Sequence, residues 1–196
     1  MLPEVLLWDF GDTLVDERWM RRVPDGFPMW EEAWSAVMAD MADDWNIGLV
    51  HAAQVFGALA DRTGMTRQAV EAHARSCCLQ LDVNPTAWRV ASERRMPQAI
   101  VTVNPDLFAD HIVGSYGLEA TFDEIVMSFA EGTDDKSALC SRALERLGFR
   151  GDRSRALLID NRLDLVEAWR ATGGAGYWFR GDEAFERDLP AILGHR

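Results

Sequence analysis

Four polar side chains in this sequence sit where chemistry on an anionic group could be done: Asp9, Thr102, Lys136 and Asp160. Asp9 follows the apolar run Val5-Leu6-Leu7-Trp8 and leads into Phe10-Gly11-Asp12-Thr13. Asp160 closes a second such run, Ala156-Leu157-Leu158-Ile159. Thr102 lies near the end of a third, Ala99-Ile100-Val101. Short continuous apolar runs of this kind read as strands buried on both faces of a parallel sheet, and ligands bind beyond the carboxyl ends of such strands. Lys136 opens a helical pattern that starts at the same edge. It is the only lysine among 20 Lys plus Arg. Arginine is used wherever a generic positive charge serves, so a lone lysine points to a need for a compact point charge rather than a planar fork. A lysine in the first turn also opposes the helix dipole, which makes sense if it faces anions. Taken singly, each residue has an ordinary structural reading, an aspartate after a strand being a common helix cap. Their conjunction in this order is what points to function.

The elements that must position them alternate. Strands are expected at 4–9, 98–103, 124–129, 155–160 and 175–179. Helices are expected from Pro85 to about Arg95 with Asn84 as N-cap, from Pro105 to Gly114–Gly117, from Lys136 to Leu147 after Asp134 and Asp135, from Asp160 to Thr172, and from Asp182 to Leu193. Strands alternating with helices give an α/β, Rossmann-like doubly wound parallel sheet of about five strands with right-handed crossovers. Residues 16–81 break the alternation. Trp30, Trp34, Val37, Met38, Met41 and Trp45 recur at helical spacing, and further helices fit 51–62 and 66–79, the last with Thr66 as N-cap. The division is therefore 1–15 and 82–196 as the core, with 16–81 as a helical insertion. The Trp30/Trp34/Met38/Met41 stripe suits either the inside of that insertion or the face of a possible homodimer.

Composition narrows the function. The 196 residues carry a net charge of −12, which argues against nucleic acid as partner, since a phosphate backbone needs a basic face. No apolar run approaches the roughly 18–20 residues needed to span a bilayer, so no membrane role is expected. The start lacks a basic and then apolar leader, and Cys77, Cys78 and Cys140 are odd in number and have no metal-ligand spacing. Both features suit reduced thiols in the cytoplasm. No two histidines form a His-x-x-x-His pair.

With those residues in place the chain resembles the haloacid dehalogenase (HAD) superfamily of hydrolases, mostly Mg²⁺-dependent phosphatases. Residues 5–15, 99–104, 136–148 and 157–173 look like its four motifs, and the helical insertion is similar to its C1-type cap. The resemblance implies that Asp9 is the nucleophile, forming an aspartyl-phosphate from a small phosphorylated metabolite. It implies that Thr102, with Asn104 beside it, binds the transferring phosphoryl oxygens, and that Lys136 neutralises nucleophile and phosphate. Mg²⁺ would be held by Asp9, Asp160 and the backbone carbonyl of Gly11, with Asp164 supporting the site directly or through water. Arg18, close after the first motif, is a candidate grip on an anionic substrate.

One position departs from the family pattern. The family's phosphatases read Asp-x-Asp-Gly-Thr, whereas this chain reads Asp9-Phe10-Gly11-Asp12-Thr13. The slot of the general acid/base is Gly11, and Asp12 comes one residue late. General acid–base help is worth about 10²–10⁴-fold. Asp12 swings in as acid/base, or the substrate has a good leaving group such as an acyl or aryl phosphate, or the protein is a weakly active or non-catalytic phosphate-binding relative. A 2-haloacid dehalogenase-like hydrolase also accommodates Gly11, although that branch needs no metal and this chain keeps Asp160 and Asp164. The phosphonate-cleaving branch needs a Schiff-base lysine in its cap, where this chain has none.

Overall fold

The computed structural model describes residues 2–16 and 21–194. Five strands form one sheet: β1 (Val5–Trp8), β2 (Gln98–Thr102), β3 (Glu124–Met127), β4 (Ala156–Asp160) and β5 (Ala175–Trp178). Their order is β3-β2-β1-β4-β5, and every pair is parallel. β1 is therefore central. Leu7 is level with Ala99 on one side and Leu158 on the other, and all four residues of β1 are buried.

Side chains alternate across a strand, so the apolar runs divide into two cores. Leu6, Trp8, Ile100, Leu157 and Ile159 face one layer. Val5, Leu7, Ala99, Val101, Val126 and Leu158 face the other. The second layer is supplied mainly by α7 (Lys136–Arg146), through Leu139, Cys140, Ala143 and Leu144, and by Trp169 of α8 (Leu163–Ala171). The first layer includes Val90 of α4 (Pro85–Ser92) and Phe185 of α9 (Asp182–Leu193). Burying each aliphatic or aromatic side chain contributes about 1.5–3 kcal/mol, so a sheet covered on both faces is the stable use of continuous apolar strands.

Between β1 and α4 the described residues form three helices and no named strand: α1 (Trp30–Asn46), α2 (Ala52–Thr63) and α3 (Arg67–Cys78). Thr66 caps α3 as expected, its hydroxyl accepting the Ala69 N–H at 3.2 Å. Trp30, Val37 and Trp45 of α1 are buried, and they belong to the same apolar cluster as Trp8 and Phe10. The chain passes that enter and leave the all-helical stretch run side by side: Asp16 N–H donates to the Asp82 carbonyl and Asn84 N–H to that of Leu14. No described helix is long and apolar enough to cross a membrane. All three cysteines are free and buried.

Several element boundaries differ from the sequence reading. β1 stops at Trp8, so Asp9 is the first residue past the strand rather than its last. β3 stops at Met127, and Ser128–Glu131 is a helical turn, α6. The helix expected after Asn104 is a π-helical turn, Phe108–Val113, followed by the short α5 (Leu118–Thr121). α4 ends at Ser92 and is not capped by the Asn84 side chain. That side chain donates instead to the Thr13 carbonyl at 2.9 Å. The first N–H groups of α4 go to a remote residue, with the Asp182 carboxylate accepting from Thr86 and Ala87 at 2.8–3.0 Å. A capping partner so far along the chain leaves no local sequence signature.

Candidate active site

The sheet brings three charged residues from distant parts of the chain to one point at its carboxyl edge. Asp9 is fixed by its own backbone, whose N–H continues the parallel ladder to the Ile159 carbonyl at 2.9 Å. Its Oδ1 accepts from Lys136 Nζ at 2.6 Å. The same ammonium lies 2.9 Å from Oδ2 of Asp160. Asp160 ends β4, and its Oδ1 takes the backbone N–H of Arg162 at 2.8 Å. Thr13 Oγ1 stands 3.4 Å from Asp9 Oδ2, a long and weak bond. Lys136 and Asp160 are 2% and 1% exposed.

Lys136 is the first residue of α7, where a cation is disfavoured by the helix dipole. Asp135 offsets this as N-cap, its carboxylate accepting from Ser137 and Ala138 N–H at 2.9 and 3.1 Å. Burial alone pulls the Lys136 ammonium towards neutrality. The charges of Asp9 and Asp160, with the hydrogen bond from Asp9, outweigh it, so the pKa lies above that of an ordinary lysine. Lys136 is therefore a fixed cation at physiological pH. The buried Cys140 thiol, one turn further along α7, is pushed up to about 12, chiefly by burial. It is a packing group rather than a nucleophile.

The geometry fits a hard divalent cation. Two carboxylates share one ammonium here. Oδ2 of Asp160 is buried and, although the ammonium is within ion-pair distance, it has no hydrogen-bond partner of acceptable angle. Among the described residues no three His, Cys, Asp or Glu side chains group as metal ligands. Mg²⁺ does not require such a group, because it takes one or two carboxylates and retains water. Asp9, Asp160 and a backbone carbonyl such as that of Gly11 are a donor set of that kind.

The other expected site residues divide. Thr102 and Asn104 reach the same sheet edge, one strand over from Asp9, and both are buried. They are joined by a bond from Asn104 Nδ2 to Thr102 Oγ1 at 2.6 Å. Gly11 is buried in the turn after β1. Asp12 is exposed, with a left-handed φ of 51°, and Lys136 pairs with Asp9 and Asp160, not with it. Asp164 is not brought to the cluster. Its carboxylate is turned out to Arg162, with Nη2···Oδ2 2.6 Å and Nε···Oδ1 3.3 Å. The hydrogen bond from Arg162 leads the effects that hold its pKa below the usual carboxylate range. In this structure the Asp164 carboxylate is therefore engaged by its exposed neighbour Arg162. Arg18 lies outside the described residues. Sequence reasoning missed Ser128 and Asp106, which tie the α1–α2 turn to this edge. Ser128 was hidden at the end of an apolar run, and nothing local marked Asp106.

No family model matches the sequence, and no curated protein matches it at a significant level. Solved structures do match in fold. A HAD-family enzyme of Bacteroides thetaiotaomicron, BT-2542, superposes with a TM-score of 0.75 at 15% identity, over 96% of this chain and 99% of that one. A predicted HAD-like family hydrolase of Porphyromonas gingivalis gives 0.71 at 15% identity, with both chains fully covered. L-2-haloacid dehalogenase of Xanthobacter autotrophicus gives 0.66 at 18% identity, over 96% of this chain and 82% of that one. The chain therefore has the fold shared by these proteins.

Proposed function

We propose that this chain is a hydrolase of the HAD superfamily that removes the phosphoryl group from a small phosphorylated metabolite, using Asp9 as nucleophile and Mg²⁺ as cofactor. One observation carries this reading. A single buried ammonium lies 2.6 and 2.9 Å from two carboxylates, one just past β1 and one ending the adjacent β4, which is the charge pattern that handling a phosphoryl group beside a cation calls for. BT-2542 has been crystallised with magnesium and inorganic phosphate.

Asp9 attacks phosphorus, the bond from phosphorus to the leaving oxygen breaks, and that oxygen departs with the electron pair. Water then cleaves the aspartyl-phosphate, regenerating Asp9 and releasing inorganic phosphate. Splitting one displacement into two lowers each barrier. Lys136 counters the charge of nucleophile and phosphoryl group, and the Thr102 hydroxyl has a proton to give to a phosphoryl oxygen. Bound Mg²⁺, held by Asp9, Asp160 and the Gly11 carbonyl, supplies the charge neutralisation without which phosphate and carboxylate would repel. Gly11 offers no side chain to protonate the leaving oxygen. Substrates whose leaving groups are stable as anions, acyl and aryl phosphates, therefore suit this site, with Asp12 the nearest carboxylate in sequence to serve as acid/base. Residues 16–81 act as the cap that selects the substrate.

The test is phosphate release from an aryl phosphate with Mg²⁺, comparing wild type and Asp9→Asn. Loss of release in the variant supports the reading, and equal rates end it. A second reading, dehalogenation, is favoured by Gly11 together with the fold shared with L-2-haloacid dehalogenase. It requires chloride release from 2-chloropropionate that survives chelation of metal. Binding of phosphate without any turnover assigns the chain to the non-catalytic reading.

A further inference from the structure

The turn between α1 and α2 is gripped by the loops that follow β2 and β3. At one end, the Ser128 hydroxyl donates to the Asn46 carbonyl at 2.6 Å. The Asp106 carboxylate accepts from Trp45 Nε1 at 2.7 Å. At the other end, the same carboxylate accepts from Ala52 N–H at 3.0 Å, with His51 Nδ1 3.5 Å away. Between them, Gly48 has a φ of +78°, and a Cβ added there would lie 2.7 Å from the Phe129 carbonyl oxygen. The backbone of the turn thus rests directly on the backbone next to Ser128.

Ser128 is completely buried. While donating to Asn46, its oxygen accepts the backbone N–H of Asn104 at 3.0 Å. The Asn104 side chain in turn holds Thr102 Oγ1 at 2.6 Å. A hydrogen-bonded relay therefore runs from the turn through Ser128 and Asn104 to Thr102. The χ1 torsion of a threonine has few allowed states, and where Oγ1 accepts limits where its rotating hydroxyl proton points. We propose that the seating of the α1–α2 turn sets the orientation of the Thr102 hydroxyl, with Ser128 as the positioning residue between them. This rests on the phosphoryl-transfer reading for its consequence in catalysis, but the coupling is a structural statement that can be read without turnover.

The experiment measures the χ1 couplings of Thr102 and the exchange rate of the Asn104 amide by NMR. It compares wild type, Ser128→Ala, Gly48→Ala and Trp45→Phe. Trp45→Phe keeps an aromatic ring while removing the indole N–H that Asp106 accepts, and it carries the test if Gly48→Ala does not fold. Wild type shows one Thr102 rotamer. Gly48→Ala and Trp45→Phe, both remote from Thr102 in sequence, shift it to rotamer averaging and speed exchange at Asn104 about tenfold, the scale of one lost hydrogen bond. Ser128→Ala does the same by removing the link itself. Aryl phosphate kcat/KM falls alongside by about tenfold. Unchanged Thr102 couplings in the folded turn variants overturn the coupling, whatever the activity does. Averaged couplings in a protein that hydrolyses no phosphate uphold it while rejecting the phosphatase reading.

Discussion

Replacing Lys136 by arginine keeps the charge and tests whether the site needs a point cation. The ammonium sits 2.6 Å from one carboxylate and 2.9 Å from the other, on a side chain only 1% exposed. Arginine adds two heavy atoms and spreads the charge over a planar fork. Forcing extra atoms into a packed interior costs about 1–3 kcal/mol. For a chain of this size each kcal/mol lowers Tm by about 2–4 °C, so a drop of about 2–12 °C is expected. The displaced charge no longer meets the reacting oxygens as Nζ does, and losing one preorganised electrostatic contact lowers kcat by about 10²–10³. Lys136→Met is worse for stability. It leaves two buried carboxylates facing each other, and breaking a buried pair costs about 3–5 kcal/mol. Arg142→Lys on the exposed face of the same helix is the control and stays within about 0.5 kcal/mol of wild type. Thermal melts and an aryl phosphate assay on the four proteins decide the matter. Lys136→Arg with wild-type Tm and rate would show that any cation serves, and the inference from the lone lysine would be wrong.

Three further outcomes follow from the geometry. Asp164→Asn leaves Mg²⁺ affinity by calorimetry within about twofold of wild type, because the carboxylate faces Arg162; a loss of about 10–100-fold, typical of a residue supporting metal ligands, would contradict this. The stability difference between wild type and Lys136→Met is constant from neutral pH to about pH 10, near the ordinary lysine pKa. Because the folded pKa of Lys136 is raised, the ion-pair contribution is complete below the unfolded value and fades as pH climbs through the folded one, so the gap in Tm narrows only in that alkaline range. Thr66→Ala removes the hydroxyl that accepts the Ala69 N–H and costs about 1 kcal/mol in chemical denaturation, without changing phosphate release.

Asp9, Thr102, Lys136 and Asp160 were legible because each sits at the end of a strongly patterned element, and a parallel sheet carries all such ends to one edge. The five strands were legible for the same reason, their apolar runs being buried on both faces. Boundaries were lost where tertiary partners override local pattern. Ser128 and Phe129 look like strand by composition, yet the Ser128 hydroxyl is taken by Asn46 and Asn104 and the chain turns there. Asn84 has the residue type of a cap, but Asp182 reaches the helix end first. Asp164 has the spacing for a second metal carboxylate, and its pairing with Arg162, two residues away, was not read from the sequence. The grip of Asp106 on Trp45 and Ala52 spans residues with no sequence relation at all, and only the folded chain reveals it.

The central position of β1 has a consequence for how the molecule is made. Its neighbours on either side are β2 and β4, which begin at Gln98 and Ala156. The strand leading into Asp9 is thus synthesised long before either neighbour it must join, and its four apolar residues have no strand partner until those are made. Long-range parallel pairing of this kind is slow and leaves sticky intermediates. The helices that follow β1 at once in the chain place Trp30 and Val37 in the same apolar cluster as Trp8, so part of that cluster is supplied by the chain made before β2.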